Sequence, residues 1–333
     1  MREGRLAIEP FILLYLLVWT AYMVLNRTLA TSGLMGGGGP LSGLALLPAS
    51  LIVNGGATYA FIGLSGWWRK SAAIAGPLPL PRPNRWTALS GLGAGLLLIA
   101  VPLSFTFAGV SIPFVQLLMR GDVLLIAPIV DLLARRRIRP ASLAAIALVA
   151  AGLLLTLHQR GGFALPPLCW LTIAIYTIGY FLRLHVMTRI AKTPDPDELK
   201  RYFAQEQIVA TPTALVMIAL LAAFAPGPVG EQLRLGFAVR DPAVIGWLVA
   251  TGSLSALIGL MATVILLNPR ENSFCVPFER SASILGGVAA SYLMAIWFKA
   301  PAPTAGELAG LATLVAAITL LTLSAKRRTP STD

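Results

Sequence analysis

Long apolar runs separated by short polar segments dominate the pattern of hydrophobic and polar positions along the chain. A helix needs about 20 mostly apolar residues to cross the roughly 30 Å hydrocarbon core of a bilayer. Backbone groups in lipid must be satisfied internally, so runs of this length predict helices. The pattern predicts ten membrane-spanning helices, at residues 10–31, 42–66, 88–108, 111–134, 141–157, 167–188, 204–225, 244–267, 273–297 and 304–324.

The basic residues predict the orientation of these spans. Of the 26 lysines and arginines, 18 fall in the terminal segments or in loops that ten spans would place on the same side of the membrane as the termini. The loops on the opposite side hold Arg160, Arg234, Arg240 and Lys299. Basic residues concentrate on the cytoplasmic side, so we expect both termini in the cytoplasm. The sequence thus predicts an all-α polytopic membrane protein with an even number of spans.

Composition agrees with this class and excludes others. Hydrophobic residues make up 56% of the chain and charged residues 12%, whereas soluble domains carry about a quarter charged residues. The net charge of +12 is accounted for by the orientation signal, so the lipid bilayer is the expected partner and nucleic acid is not. Cys169 and Cys275 fall in different predicted helices without metal-ligand spacing. We therefore expect no metal or other cofactor.

The predicted spans divide into two halves of five. An odd number of spans per half makes the second half enter the membrane from the opposite side, which is the inverted repeat of many secondary transporters. The segment ALVAAGLLLTL at 147–157 closes the first half, and the similar TLVAAITLLTL at 313–323 closes the second. We predict repeats at 1–157 and 167–325, followed by a cytoplasmic tail at 326–333.

The fourth and ninth spans each carry a proline near their start and a single arginine within the span, Arg120 or Arg280. At 1.5 Å per residue, Arg120 lies roughly 14 Å below the outer face and Arg280 roughly 10 Å above the inner face. Because the two helices run in opposite directions, both arginines are expected near the middle of the membrane. Charged residues at that depth usually face the bundle interior and serve function.

Two explanations of these arginines stay open. Their guanidinium groups could hold a carboxylate or phosphate of a substrate from two sides, using planar bidentate donors. Alternatively they form structural ion pairs, Arg120 with Asp122 or Glu279, and Arg280 with Glu206.

The same acids are candidates for proton coupling. Asp122 and Glu279 each lie within two residues of an arginine, and a buried carboxylate can take up a proton unless a cation offsets its burial. Glu206 lies near the start of the seventh span. It is either a third coupling or ion-pair residue or part of a solvated helix end.

The sixth span adds polar and aromatic candidates. Tyr176, Tyr180 and Arg183 are spaced three to four residues apart, which puts them on one side of a helix and indicates a substrate cavity wall. The alternative is ordinary packing, with Arg183 extending to the cytoplasmic surface. Asn26 in the first span is a further substrate-binding candidate.

These patterns resemble the drug/metabolite transporter superfamily, specifically its ten-helix EamA type. The first span, VWTAYMVLNRTLA, is similar to the family's opening tryptophan–small–small–asparagine pattern, with Asn26 as the asparagine. The stretch 88–157 follows the family's third-to-fifth-helix pattern and 244–324 repeats it. FERSAS resembles the ninth-helix region in which relatives carrying phosphorylated sugars have basic residues, with Arg280 in the matching place. Their lysine–arginine pair is absent, because Glu279 precedes Arg280.

The function that we expect is transport. No G-x-x-x-x-G-K-[ST] loop and no large soluble domain are present, so active transport must be secondary. His158 and His185 have no clustered carboxylates, so an enzyme is not expected. We predict an alternating-access carrier of a small anionic or zwitterionic metabolite in the cell inner membrane, as a monomer or homodimer. The alternative is a flippase for a lipid with an anionic headgroup or a lipid-linked precursor.

Overall fold

A computed structural model describes residues 8–31, 41–71, 81–107, 109–121, 140–160, 165–190, 195–266 and 272–326. Helices dominate this part of the chain, and residues 112–121 are helical too. The helices are α1 (Ile8–Thr31), α2 (Gly43–Leu64), α3 (Trp67–Ser71), α4 (Arg85–Ser104), α5 (Pro140–Arg160), α6 (Pro167–Ile190), α7 (Pro196–Phe224), α8 (Gly227–Phe237), α9 (Pro242–Leu266), α10 (Asn272–Phe298) and α11 (Ala305–Lys326).

Seven helices of the described residues are long and apolar enough to cross a membrane. Their spanning parts are Phe11–Thr31, Gly43–Leu64, Arg85–Ser104, Pro167–Met187, Asp197–Phe224, Pro242–Leu266 and Glu279–Phe298. Shorter apolar stretches lie in α5 and α11, at Leu143–Thr156 and Ala305–Leu320. The chain is therefore a polytopic helical membrane protein, as predicted. The number ten stays a prediction, since most of the span expected at 111–134 lies outside the described residues.

The helices begin and end close to the predicted boundaries, with one clear exception. Helix α7 begins at Pro196, well before the expected start at residue 204. The Asp195 side chain accepts a hydrogen bond from the Asp197 backbone nitrogen, and acidic residues occupy the first turn. A capping aspartate, a proline at the first helical position and acids near the helix N-terminus all favour a helix start. Hydropathy detects only the apolar part of such a helix.

The helices form two compact units. Unit 1 comprises Met1–Thr20, Val110–Pro166 and Arg270–Asp333, and unit 2 comprises Ala21–Gly109 and Pro167–Pro269. Each unit takes segments from both predicted halves, so the packing units do not coincide with the expected division into 1–157 and 167–325. The division into repeats concerns symmetry and stays a prediction.

The core of unit 1 is built around a close crossing of α5 and α11. A Cβ atom added to Gly152 would lie 3.2 Å from the Gly310 backbone. Thr156 donates a hydrogen bond of 3.1 Å to the carbonyl oxygen of Gly306, one turn further along. Apolar side chains continue this contact: Leu117, Ala145, Val149, Ile284, Leu311, Leu314, Ala317 and Ile318 form a buried cluster.

In unit 2, α4 lies between α6 and α7 and approaches both closely through glycines. A Cβ at Gly91 would lie 2.8 Å from the backbone oxygen of Glu206 in α7. On another face of α4, a Cβ at Gly93 would lie 2.7 Å from the backbone oxygen of Gly179 in α6. Small residues of this kind let helix backbones approach in membranes. Short side chains on α4 can therefore reach polar groups on both neighbours.

Candidate functional site

A buried ion pair joins α6 to α7 in unit 2. Arg183 donates to Glu206 through Nε to Oε1 at 3.0 Å and through Nη2 to Oε2 at 3.0 Å, a bidentate arrangement. The Arg183 Nη2 also donates to Thr263 Oγ1 of α9 at 2.7 Å. Glu206 is fully buried and Arg183 is 8% exposed. Paired bonds between a guanidinium and a carboxylate are among the stronger protein hydrogen bonds.

Two hydroxyl groups complete the surroundings of the Glu206 carboxylate. The Ser90 hydroxyl of α4 lies 2.7 Å from Oε1, and the Tyr202 hydroxyl, one turn earlier in α7, lies 2.9 Å from the same oxygen. The two hydroxyls are also 2.5 Å apart and have one proton each, so one of them donates to the carboxylate and the other donates to its neighbour. The carboxylate is thus held by Arg183 and by this pair of hydroxyls, from three helices. We call Ser90, Arg183, Tyr202, Glu206 and Thr263 the unit 2 network.

The glycine contacts of α4 explain how this network forms. Ser90 precedes Gly91, which abuts the backbone of Glu206. A Cβ at Gly93 would also lie 3.1 Å from the backbone nitrogen of Arg183. The partners of the ion pair therefore start from helices that almost touch the same turn of α4, and short bonds between their side chains follow.

The unit 2 network corrects three sequence-based alternatives. Glu206 does not lie at a solvated helix end, because α7 begins ten residues earlier and buries it. Arg183 does not extend to the surface, because Glu206 and Thr263 hold its guanidinium inside the helices. The suggested pair of Arg280 with Glu206 is wrong, since Arg183 is the cation bonded to Glu206.

Three further substrate-binding candidates are also buried in unit 2. The rings of Tyr176 and Tyr180 stack in α6, with centroids 6.0 Å apart and planes 12° from parallel. Tyr176 is 1% exposed and Tyr180 5%. Asn26 is buried too, and its side-chain amide donates to the Tyr22 backbone oxygen one turn earlier at 2.9 Å. A substrate-binding role for these three residues stays a prediction.

A second buried polar cluster lies in unit 1, where α10 meets the first half of α1. Tyr15 donates to Glu279 Oε1 at 2.5 Å, and Arg280 Nε lies 3.2 Å from Glu279 Oε2. The Arg120 guanidinium carbon lies 5.4 Å from the centre of the Trp19 ring, within the range of a cation–π interaction. All five side chains are at most 4% exposed. We call Tyr15, Trp19, Arg120, Glu279 and Arg280 the unit 1 cluster.

The geometry of α1 brings this cluster together. Tyr15 and Trp19 are one helical turn apart, and their rings meet edge to face with centroids 6.1 Å apart. Thr20 donates to the backbone oxygen of Gly286 at 3.3 Å, which fixes α1 beside α10. Gln116 accepts from Arg120 Nε at 3.1 Å and orients the guanidinium. Arg120 therefore meets Trp19 directly, and Arg280 is linked to the same turn of α1 through Glu279 and Tyr15.

The outcome for the predicted charges is mixed. Arg120 and Arg280 are buried in the same unit, and Glu279 pairs with Arg280. Asp122 lies outside the described residues. No group of three or more His, Cys, Asp or Glu residues that could hold a metal occurs in the described ranges. Proton coupling by these acids stays a prediction.

Sequence reasoning missed half of the polar partners. Tyr15, Trp19, Ser90, Tyr202 and Thr263 were not among the expected site residues. The four-residue spacing of Tyr15 and Trp19 was a usable signal, because it puts two aromatic side chains with polar atoms on one helix face. Ser90 and Thr263 gave no such signal, since single hydroxyl residues are common in membrane helices.

Comparisons with known proteins give no assignment. No family model matches the chain, and no curated protein matches it. A solved structure described as "Crystal structure of protein" is similar over 97% of this chain and 100% of its own length, with 18% sequence identity and a TM-score of 0.49. Similarity at that level decides neither fold nor function. The evidence on function is therefore the unit 1 cluster and the unit 2 network.

Proposed function

We propose that this protein is a secondary transporter that moves a small anionic or zwitterionic metabolite by alternating access. The unit 1 cluster is the observation that carries the proposal. It buries two guanidinium groups, one carboxylate and two aromatic rings inside a polytopic membrane protein. A charged side chain at the centre of a membrane helix costs about 2.5–3.5 kcal/mol even on insertion scales, so such residues usually serve a substrate or ion pathway.

The contacts of the cluster suit recognition of a carboxylate or phosphate. Glu279 sits against Arg280 at 3.2 Å, where a substrate anion would compete for the same guanidinium. Arg120 holds its guanidinium 5.4 Å from the centre of the Trp19 ring while its Nε donates to Gln116, and a substrate anion would be a further acceptor for this group. With a zwitterionic substrate, the Glu279 carboxylate could accept hydrogen bonds from the substrate's ammonium group while Arg280 binds the substrate's anionic group.

The packing of α5 against α11 supports an inverted repeat. Thr156 bonds to Gly306, and Gly152 abuts Gly310, which defines an antiparallel register. One turn further, the same register would pair Leu148 with Leu314. Leu314 belongs to the apolar cluster of unit 1, and Leu148 is partly buried against that cluster. The similar segments at 147–157 and 313–323 equate position 148 with 314. At a pseudo-two-fold axis, a residue of one repeat faces the equivalent residue of the other repeat. The sequence similarity and the packing register therefore support the inverted repeat proposed from the EamA-type resemblance.

Substrate transport by purified protein in liposomes tests the proposal. A screen for thermal stabilisation by amino acids, carboxylates and phosphorylated metabolites first selects a soluble ligand, and its uptake is then measured. We expect R280Q to abolish uptake and R120Q to reduce it at least tenfold. The matched control is R201Q, because Arg201 bonds to Glu198 with 49% of its side chain exposed.

The outcomes separate the candidate functions. Uptake by R280Q at the wild-type rate would refute the role of the unit 1 cluster. Movement of labelled anionic lipids between leaflets, without uptake of any soluble anion, would favour the flippase. Tags at the two termini, probed in intact and opened cells, test the proposed cytoplasmic location of both ends in the inner membrane.

A further inference from the structure

The unit 2 network resembles a cation-binding site in which the Arg183 side chain takes the place of the cation. Three oxygen atoms face the Arg183 guanidinium: Glu206 Oε1 and Oε2 at 3.0 Å each, and Thr263 Oγ1 at 2.7 Å. Thr263 donates its own proton to the Gly259 backbone oxygen at 2.8 Å, so its lone pairs are directed at the guanidinium. A carboxylate and a hydroxyl are oxygen ligands of the kind that hard cations prefer.

The groups behind the carboxylate hold it in this orientation. The Ser90 and Tyr202 hydroxyls lie 2.7 Å and 2.9 Å from Glu206 Oε1 and are hydrogen-bonded to each other, so they fix the position of that oxygen. Polar groups from four helices face Glu206 or its cation: Tyr180 and Arg183 on α6, Thr263 on α9, Ser90 on α4 and Tyr202 on α7.

We propose that Glu206 and Thr263 form a cation-binding site that Arg183 fills as a tethered guanidinium. In the wild-type chain the guanidinium occupies the position that a sodium ion would take. Removing the Arg183 side chain would open it to a free monovalent cation, with guanidinium fitting best because its planar donors match the carboxylate. If the proposed transport is correct, coupling then depends on groups other than Glu206.

A cleft of about 160 Å³ lies near the network in unit 2, between α2, α7 and α9. Phe61, Phe203, Ser253 and Leu260 are among the residues that line it. Phe203 and Leu260 each lie one turn before a ligand residue, Glu206 and Thr263. The Arg183 side chain retains 10% exposure, so the site is not sealed on every side.

Thermal unfolding of purified R183A in detergent tests this directly. We expect a lowered melting temperature, and a saturable rise of about 2–4 °C at ten times the dissociation constant of added guanidinium. Sodium should give a smaller rise and choline none. Wild type and K200A, which removes a partly exposed partner of Asp197, should show no saturable shift.

One further variant keeps the proposal refutable. R183A/E206Q lacks the carboxylate and should not respond to guanidinium. A folded R183A that no cation stabilises would overturn the proposal. The proposal would also be overturned if R183A failed to accumulate in cells even with guanidinium present throughout, whereas R183A/E206Q did accumulate. This experiment measures cation binding, so a negative result does not contradict the proposed transport function. That function is tested separately, by the uptake assay with R280Q.

Discussion

Replacing Glu206 with glutamine should destabilise the protein far more than neutralising any exposed acid on the same helix. The substitution keeps the size of the side chain but removes its charge, and it brings an amide NH₂ group against the donors of Arg183. Two charge-assisted bonds at 3.0 Å are affected. Hydrogen bonds to charged groups contribute about 1.5–3 kcal/mol each. Removing one partner of a buried ion pair costs about 3–5 kcal/mol, which agrees with two such bonds.

The assay is unfolding in mixed micelles by titration with a denaturing detergent, followed by circular dichroism. A loss of about 3–5 kcal/mol lowers the ratio of folded to unfolded protein by roughly two to three and a half powers of ten. The control on α7 is D197N. Asp197 bonds to Lys70 and Lys200 with 44% of its side chain exposed, and solvent screens such pairs. Its hydrogen bonds raise the pKa of Lys70 above the ordinary value, without making the pair a large source of stability.

The reasoning fails if E206Q is no less stable than D197N, or loses less than about 1 kcal/mol. That result would mean that the unfolded chain in the micelle provides Arg183 with hydrogen-bond partners as good as those in the folded protein. A second check is S90A. It removes one of the two hydroxyls beside Glu206 and should lower stability by about 0.5–1.5 kcal/mol, clearly less than E206Q.

Three other predictions follow from single contacts. G93L should lower stability by about 1–3 kcal/mol or prevent folding, because a Cβ there meets the α6 backbone at 2.7 Å; G56A, at a position with open space, should be neutral in the same thermal melt. Y15F should cost about 1–3 kcal/mol by removing the hydroxyl donor to Glu279, and equal stability of Y15F and wild type in detergent titration would contradict this bond. T304A should cost about 0.5–2 kcal/mol by removing the cap of α11, whereas T304S should retain it; equal melting temperatures for the two variants would refute the capping role.

Hydropathy was sufficient to predict the helices, because lipid restricts each apolar run to one conformation. It failed where amphipathic turns add to a span or connect two spans. The polar first turns of α7 were read as a loop, and the short helices α3 (Trp67–Ser71) and α8 (Gly227–Phe237) were not predicted. Their stability depends on packing against neighbouring helices and on caps, which a hydropathy window does not measure.

The sequence was sufficient to predict which charged residues are buried, but not which of them form ion pairs with each other. Burial of Arg120, Glu279 and Arg280 follows from their position within apolar runs. The identity of the partner of Glu206 does not follow from the sequence, since any of the intramembrane arginines offers the same charge. The choice of Arg183 depends on how closely glycines let α4 approach its two neighbours. That is a property of three-dimensional packing, and no spacing along one helix reveals it.

The short sequence distance between the two partners of the unit 2 network bears on biosynthesis. Arg183 and Glu206 are 23 residues apart, on consecutive helices joined by one connector. A ribosome adding about 5–20 residues per second makes the second partner within a few seconds of the first. Helices α6 and α7 can therefore enter the bilayer as one hairpin whose opposite charges already cancel. Ser90 is in place by then, and only the Thr263 hydroxyl arrives later, when α9 is inserted.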